Sequence, residues 1–201
     1  MSAEQNVFKI VVTGPESSGK TTLAQQLATA LGVACVPEFA RFYVAHLGRP
    51  YQRNDLKRIA RGQQLWEDWF AQRITGQPII QPTILVCDTD WTVIYIWGQY
   101  KYGAAPLPLF PSPFLPPASP TLYLLCVPDI PWQPDPLREH PAERDVLFEQ
   151  YDHLLQSIRA NYYILRGDAP SRLQTALRLV HEFCSPLRVK LIGVSRKKSL
   201  D

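Results

Sequence analysis

Apolar positions along the chain fall into two spacings. Val7 to Thr13 (VFKIVVT), Val33 to Val36 (VACV), Ile84 to Cys87 (ILVC), Leu122 to Val127 (LYLLCV) and Tyr162 to Leu165 (YYIL) are short, nearly unbroken apolar runs, the pattern of strands buried on both faces. Between them the period lengthens to that of a helix. Lys20 to Leu31 reads as a helix stopped by Gly32, Asn54 to Thr75 as a long helix closed by Gly76 and Pro78, and a further helix follows Asp90. Leu147, Tyr151, Leu154, Leu155 and Ile158 share one helical face, as do Leu173, Leu177, Val180 and Cys184. Apolar strands alternating with helices predict an α/β protein with a five-stranded parallel sheet and helices on both faces.

Two stretches break this rhythm. Residues 104 to 120 (AAPLPLFPSPFLPPASP) carry too much proline for a helix or a central strand. They predict a stiff surface connection, with a recognition segment for a proline-binding partner as the alternative. Val189 to Asp201 (VKLIGVSRKKSLD) reads as an added edge strand or an extended arm with a solvated basic end. The expected organisation is one domain over residues 1–185 and a C-terminal extension over 186–201.

Composition narrows the setting rather than the chemistry. The chain has 201 residues, enough for one sizeable core, and 21 basic against 18 acidic residues give a net charge of +3. That near balance predicts no nucleic-acid surface. The N-terminus has no charged leader before an apolar run, and nothing approaches the roughly 18 consecutive apolar residues of a membrane span. Cys35, Cys87, Cys126 and Cys184 are widely spaced with no CxxC pair, which fits reduced thiols in a cytoplasmic, unprocessed protein. Self-association is left open.

The chemistry begins at GPESSGKTTLA, residues 14 to 24. Gly14, Gly19, Lys20 and Thr21 satisfy G-x-x-x-x-G-K-[ST] directly after a strand and at the start of a helix, as phosphate binding requires. Glycines let backbone amides turn toward phosphates, the helix N-terminus adds positive potential, Lys20 neutralises the outer phosphates, and the Thr21 hydroxyl is a Mg²⁺ ligand. Glu16, Ser17, Ser18 and Thr22 complete the ATP-binding candidates of the loop. Neither the NKxD nor the DxxG of a GTPase occurs. The third strand ends Cys87-Asp88-Thr89-Asp90, without the glutamate that follows the aspartate in ATPase motors; Asp88 is the second Mg²⁺ candidate, and helix capping before Trp91 competes for one of the two aspartates.

GPESSGKTTLA, PEFAR (37 to 41), DTD (88 to 90) and PWQPDPLR (131 to 138), taken together, resemble the ribosylnicotinamide kinase domain of the NadR type, over about residues 7 to 184. The resemblance implies strand order 2-3-1-4-5, as in nucleoside and nucleotide kinases, and transfer of the ATP γ-phosphate to the 5′-hydroxyl of nicotinamide riboside. It implies a lid at about 128–145. The adenylyltransferase and DNA-binding modules of the full family architecture find no counterpart, so a stand-alone kinase is expected. Glu38 is the expected base, with Asp88 the alternative. Arg138 and Arg144 are lid cations on the transferred phosphoryl group, or else a solvated helix start. Gly167 and Arg172 match positions that cradle adenine, although a cap formed by Asp168 and Pro170 explains the same sequence. Arg41, Gln63, Trp132 and Asp135 are substrate candidates, with Trp66 and Trp69 on the same helix as Gln63 either lining the pocket or packing in the core. Asp90 and Trp91 are the expected pair for the pyridinium charge. The rivals are a deoxynucleoside or nucleoside-monophosphate kinase and a regulatory protein that binds ATP without transferring phosphate.

Overall fold

The computed structural model describes residues 7–75, 83–103, 120–135, 138 and 141–185. The proline-rich segment up to residue 119, the tail from 186 and the expected Gly76–Pro78 helix stop lie outside the described residues. Strand β1 (Val7–Thr13) leads into α1 (Lys20–Leu31), then β2 (Cys35–Val36), α2 (Phe39–Leu47), α3 (Arg53–Thr75), β3 (Thr83–Asp88), α4 (Trp91–Tyr102), β4 (Thr121–Cys126), α5 (Arg144–Ser157), β5 (Asn161–Leu165) and α6 (Ala169–Cys184). The strands form one parallel sheet in the order β2-β3-β1-β4-β5. This is the expected architecture.

Register brings the carboxyl ends of the strands together. Val12 lies opposite Asp88, Thr13 opposite Leu125, and Val36 opposite Cys87, so the loops after β1, β2, β3 and β4 open on one edge. In an open parallel sheet that edge is where ligands bind. Alternate residues of β1 serve opposite faces: Phe8, Ile10 and Val12 pack with Leu23 and Leu27 of α1 and Leu179 and Phe183 of α6. Val7 and Val11 pack with Leu56 and Ile59 of α3, Val93 and Ile96 of α4, and Leu155 of α5.

Three local departures from the sequence pattern have physical causes. Strand β2 is shorter than Val33 to Val36 because Gly32 adopts a left-handed conformation and Val33 donates its amide to the Ala28 carbonyl, closing α1 rather than joining the sheet. Helix α2 falls in a stretch the apolar pattern leaves unassigned. It is held by α3, where Gly62 makes room for it: a Cβ there would lie 2.0 Å from the Phe39 ring. Ile158 lies just past α5 as its C-cap and is 42% exposed, so that helix's buried face ends at Leu155.

Candidate active site

The P-loop is shaped from below as well as by its own glycines. Gly14 has φ 135°, and a Cβ there would sit 2.6 Å from the Cys126 carbonyl, so only glycine lets the loop lie against β4. Ser18 Oγ and Lys20 Nζ donate to the Pro15 carbonyl at 2.8 and 2.6 Å. Burial lowers the Lys20 pKa, and the carboxylates of Glu38 and Asp88 act against that shift. Under the loop lies Arg172, fully buried, donating to the Ser18 carbonyl at 2.5 Å, to the Val127 carbonyl at 2.8 Å and to Asp129. The sequence expectation placed Arg172 at adenine; here its guanidinium supports the backbone of the loop, and Arg172 is not among the residues that line the cleft. Gly167 is tied to the same aspartate, its amide donating to Asp129 Oδ2 at 2.8 Å, while Asp168 caps α6 through the Ser171 amide.

Glu38 occupies the N-cap of α2 without using its side chain as the cap. Gln63, from α3, does that instead: its Oε1 accepts from the Phe39 amide at 2.9 Å. The Glu38 carboxylate is thereby left to the cleft, where Arg41 Nε donates to it at 3.1 Å. Burial raises the Glu38 pKa, Lys20 opposes that shift, and the negative charge of Asp88 adds to it. Asp88, at the end of β3, is also held above its usual range by burial, with the Thr21 hydroxyl and Lys20 pulling it down. Its Oδ1 is buried without a hydrogen-bond partner.

Residues after β4 fold back over the loop. The Gln133 amide donates to Ser17 Oγ at 2.9 Å, with Arg138 at 3.5 Å from the same hydroxyl and also donating to the Gln133 carbonyl. Arg144 reaches the carbonyls of Ile130 at 2.9 Å and Ser17 at 3.3 Å, and lies 5.8 Å from the centre of the Trp132 ring. Both arginines therefore point at the P-loop, and neither is a merely solvated helix start. Arg41 joins the segment after β4 to α2, bonding Asp135 Oδ2 at 2.9 Å. The cleft they border has a volume of about 150 Å³. Gly14, the loop from Glu16 to Thr22, Glu38, Arg41 and Arg138 line it.

Several substrate candidates lie elsewhere. Gln63 is buried in its capping role and also donates to Glu67 Oε1 at 3.3 Å, so it does not face the cleft. Asp90 is 1% exposed; it caps α4 through the Thr92 amide and turns toward Lys9 and Tyr123 in the core. Trp91 packs against the core and meets Tyr95 edge-on at 6.0 Å. Neither residue of the expected Asp90–Trp91 pair lines the cleft around the P-loop. Trp66 packs on Phe39, and Trp69, 47% exposed, lies beneath the Arg73 guanidinium. Sequence reasoning missed Val93, Trp97, Ile130, Gln133 and Tyr151 as lining residues. Tyr151 was visible only as one more residue of the apolar face of α5, and Trp97 carried no motif at all.

A phosphate loop after the first strand, a sheet in the order 2-3-1-4-5 and acidic residues just after β2 and at the end of β3 define the P-loop kinase fold. The chain belongs to the AAA domain family, whose pattern matches residues 9–172. Among solved structures it is similar to a NadR protein in complex with NAD and AMP-PNP, at 20% identity and a TM-score of 0.61, over 89% of this chain and 50% of that one. It is similar also to a NadR protein in complex with NR, at 19% identity and a TM-score of 0.62, over 89% of this chain and 52% of that one. The chain thus spans about half the length of these relatives. Comparison with curated proteins finds no match. No helix among the described residues is long and apolar enough to cross a membrane.

Proposed function

We propose that the protein transfers the γ-phosphate of ATP to the 5′-hydroxyl of nicotinamide riboside, giving nicotinamide mononucleotide, with residues 1–185 as the kinase domain and about 128–145 as its lid. One observation carries the reading: a largely buried carboxylate, Glu38, is freed from its own helix cap and shares a cleft with the P-loop lysine. A regulatory nucleotide site would need no such acid. The likeness to NadR proteins bound to AMP-PNP and to NR supports the choice of donor and acceptor.

In this mechanism the P-loop amides and Lys20 hold the β- and γ-phosphates. The 5′-oxygen attacks the γ-phosphorus, the bond to the β-phosphate oxygen breaks, and ADP leaves. The hydroxyl proton passes to the Glu38 carboxylate, which its raised pKa suits to accept it. Arg138 and Arg144, held near Ser17, supply charge to the equatorial oxygens as the lid closes. Thr21 and Asp88 fit a Mg²⁺ ion, since the orphaned buried Asp88 Oδ1 and a hydroxyl are a hard oxygen donor set that nucleotide phosphates complete. When bound, the ion would neutralise charge on the β- and γ-phosphates. With Asp90 turned into the core, Trp97 and Tyr151 are the aromatic candidates for contact with the pyridinium ring.

The test is turnover of labelled ATP with nicotinamide riboside, its uncharged reduced form, thymidine and cytidine. Nicotinamide riboside should be the preferred acceptor, ahead of the reduced form by about tenfold if aromatic faces select the charge. Efficient phosphorylation of thymidine or cytidine in its place would assign the protein to the nucleoside kinases, and transfer to none of them would support a regulatory role.

A further inference from the structure

Lys9 lies in the middle of the central strand, is 8% exposed, and has no part in the phosphoryl transfer described above. Its side chain leaves the sheet on the face covered by α3 and α4. The ammonium donates to Glu67 Oε2 at 2.6 Å and lies 3.5 Å from Asp90 Oδ2. Burial opposes the charge, but the two carboxylates outweigh it and keep the lysine protonated.

From this ammonium, polar contacts run to three loops of the site. Glu67 Oε1 accepts from Gln63, whose own oxygen holds the Phe39 amide, and Phe39 follows Glu38 directly. Asp90 stands two residues past Asp88, across a left-handed Thr89 with φ 70°. Its Oδ1 accepts from the Thr92 amide at 2.9 Å and the Thr92 hydroxyl at 2.7 Å. Because the Thr92 proton is directed to Asp90, the Thr13 hydroxyl donates to Thr92 Oγ1, 3.2 Å away. Thr13 is the residue before Gly14, where the P-loop begins. Tyr123 satisfies the other oxygen of Asp90 at 3.0 Å.

Buried ion clusters contribute little stability compared with apolar side chains of the same volume, so stability alone does not account for this one. Its geometry does. We infer that Lys9 is a positioning residue for the transfer reaction, fixing through Glu67 and Gln63, through Asp90, and through Thr92 and Thr13 the backbone beside Glu38, Asp88 and the P-loop together. The inference rests on the kinase reading for its catalytic consequence but not for the network itself. Phosphoryl transfer depends on alignment of donor, acceptor and base, which a shift of about 1 Å can spoil.

The decisive variant is Lys9→Met/Glu67→Met, which removes both charges of the closest pair and leaves Asp90 its partners on Tyr123 and Thr92. Amide hydrogen exchange and steady-state kinetics at saturating ATP are measured on the full chain. Exchange should quicken by about tenfold or more at Phe39, at Thr92 and in the loop after Thr13, and stay unchanged in β4 and β5. The kcat should fall about tenfold or more with the acceptor KM within about twofold of wild type. Unchanged exchange at the three loops overturns the inference, as does unchanged kcat, or a rise in KM alone, which would make the cluster an acceptor contact. Should the double variant fail to fold, Gln63→Met cuts only the branch to Phe39. Faster exchange at Phe39 with a lower kcat then supports the inference, and unchanged exchange at Phe39 overturns it. If the wild type phosphorylates no acceptor, the kinase reading fails while the exchange data still decide the network.

Discussion

The two faces of the sheet are built from different materials. The side covered by α1 and α6 is apolar along its core, with Phe8, Ile10, Val12, Leu27, Leu124 and Leu179 in one cluster, and its buried charge, Arg172, lies at the P-loop end. The side covered by α3, α4 and α5 is also closely packed, yet it buries Lys9, Gln63, Glu67 and Asp90 and carries Glu38 and Tyr151 to the cleft. Apolar contact is non-directional. Hydrogen bonds and ion pairs fix direction and distance. Both sides therefore supply cohesion, and the side covered by α3, α4 and α5 also supplies aim.

The comparison would break at its most exposed point first. Lys20→Ala should lower kcat by about 10³-fold or more with the fold preserved, since charge at the β- and γ-phosphates is lost. Circular dichroism and turnover measured on the same sample decide it; retained turnover would remove the kinase reading. Glu38→Gln should reduce kcat by about 10²- to 10⁴-fold while ATP affinity changes little. In the wild type, kcat/KM should fall on the acid side at a pH above the ordinary glutamate value of 4.5, because burial raises the Glu38 pKa and the protonated acid cannot act as a base. A nearly normal Glu38→Gln beside an inactive Asp88→Asn would transfer the role of base to Asp88.

On the apolar side, Leu27→Ala should cost about 2 to 5 kcal/mol of stability by leaving a cavity. Denaturant titration reads that loss, and kcat per folded molecule should stay close to wild type. A drop in kcat there would mean that the apolar face also sets the geometry of the site. The smallest effect is expected at the lid, where Arg138→Ala should slow transfer by about tenfold and leave nucleoside binding unaltered, because the charge is needed only on closure. A change confined to nucleoside affinity would contradict the lid assignment.

The phosphate loop, the alternation of strands and helices and the acid after β2 could all be read along the chain because each is a local pattern: a fixed spacing of glycines and lysine, an apolar period, a residue at a strand end. Which loops would meet followed from strand order, which the motif resemblance implied. The functions of Gln63, Asp90 and Arg172 could not be read in this way. Their motif positions suggested ligand contact, but a side chain's direction depends on what surrounds it. The Phe39 amide claims Gln63, Lys9 and Thr92 claim Asp90, and the carbonyls of Ser18 and Val127 claim Arg172. Lys9 is the one charged residue within the run from Val7 to Thr13. Only the tertiary structure gives it partners, Glu67 at 58 residues' separation and Asp90 just past the neighbouring strand β3, because unpaired charge cannot stay buried and its partners come from elements far along the chain. The sequence by itself determined the class of chemistry and the scaffold; tertiary packing decided which polar groups face the ligand and which hold the ones that do.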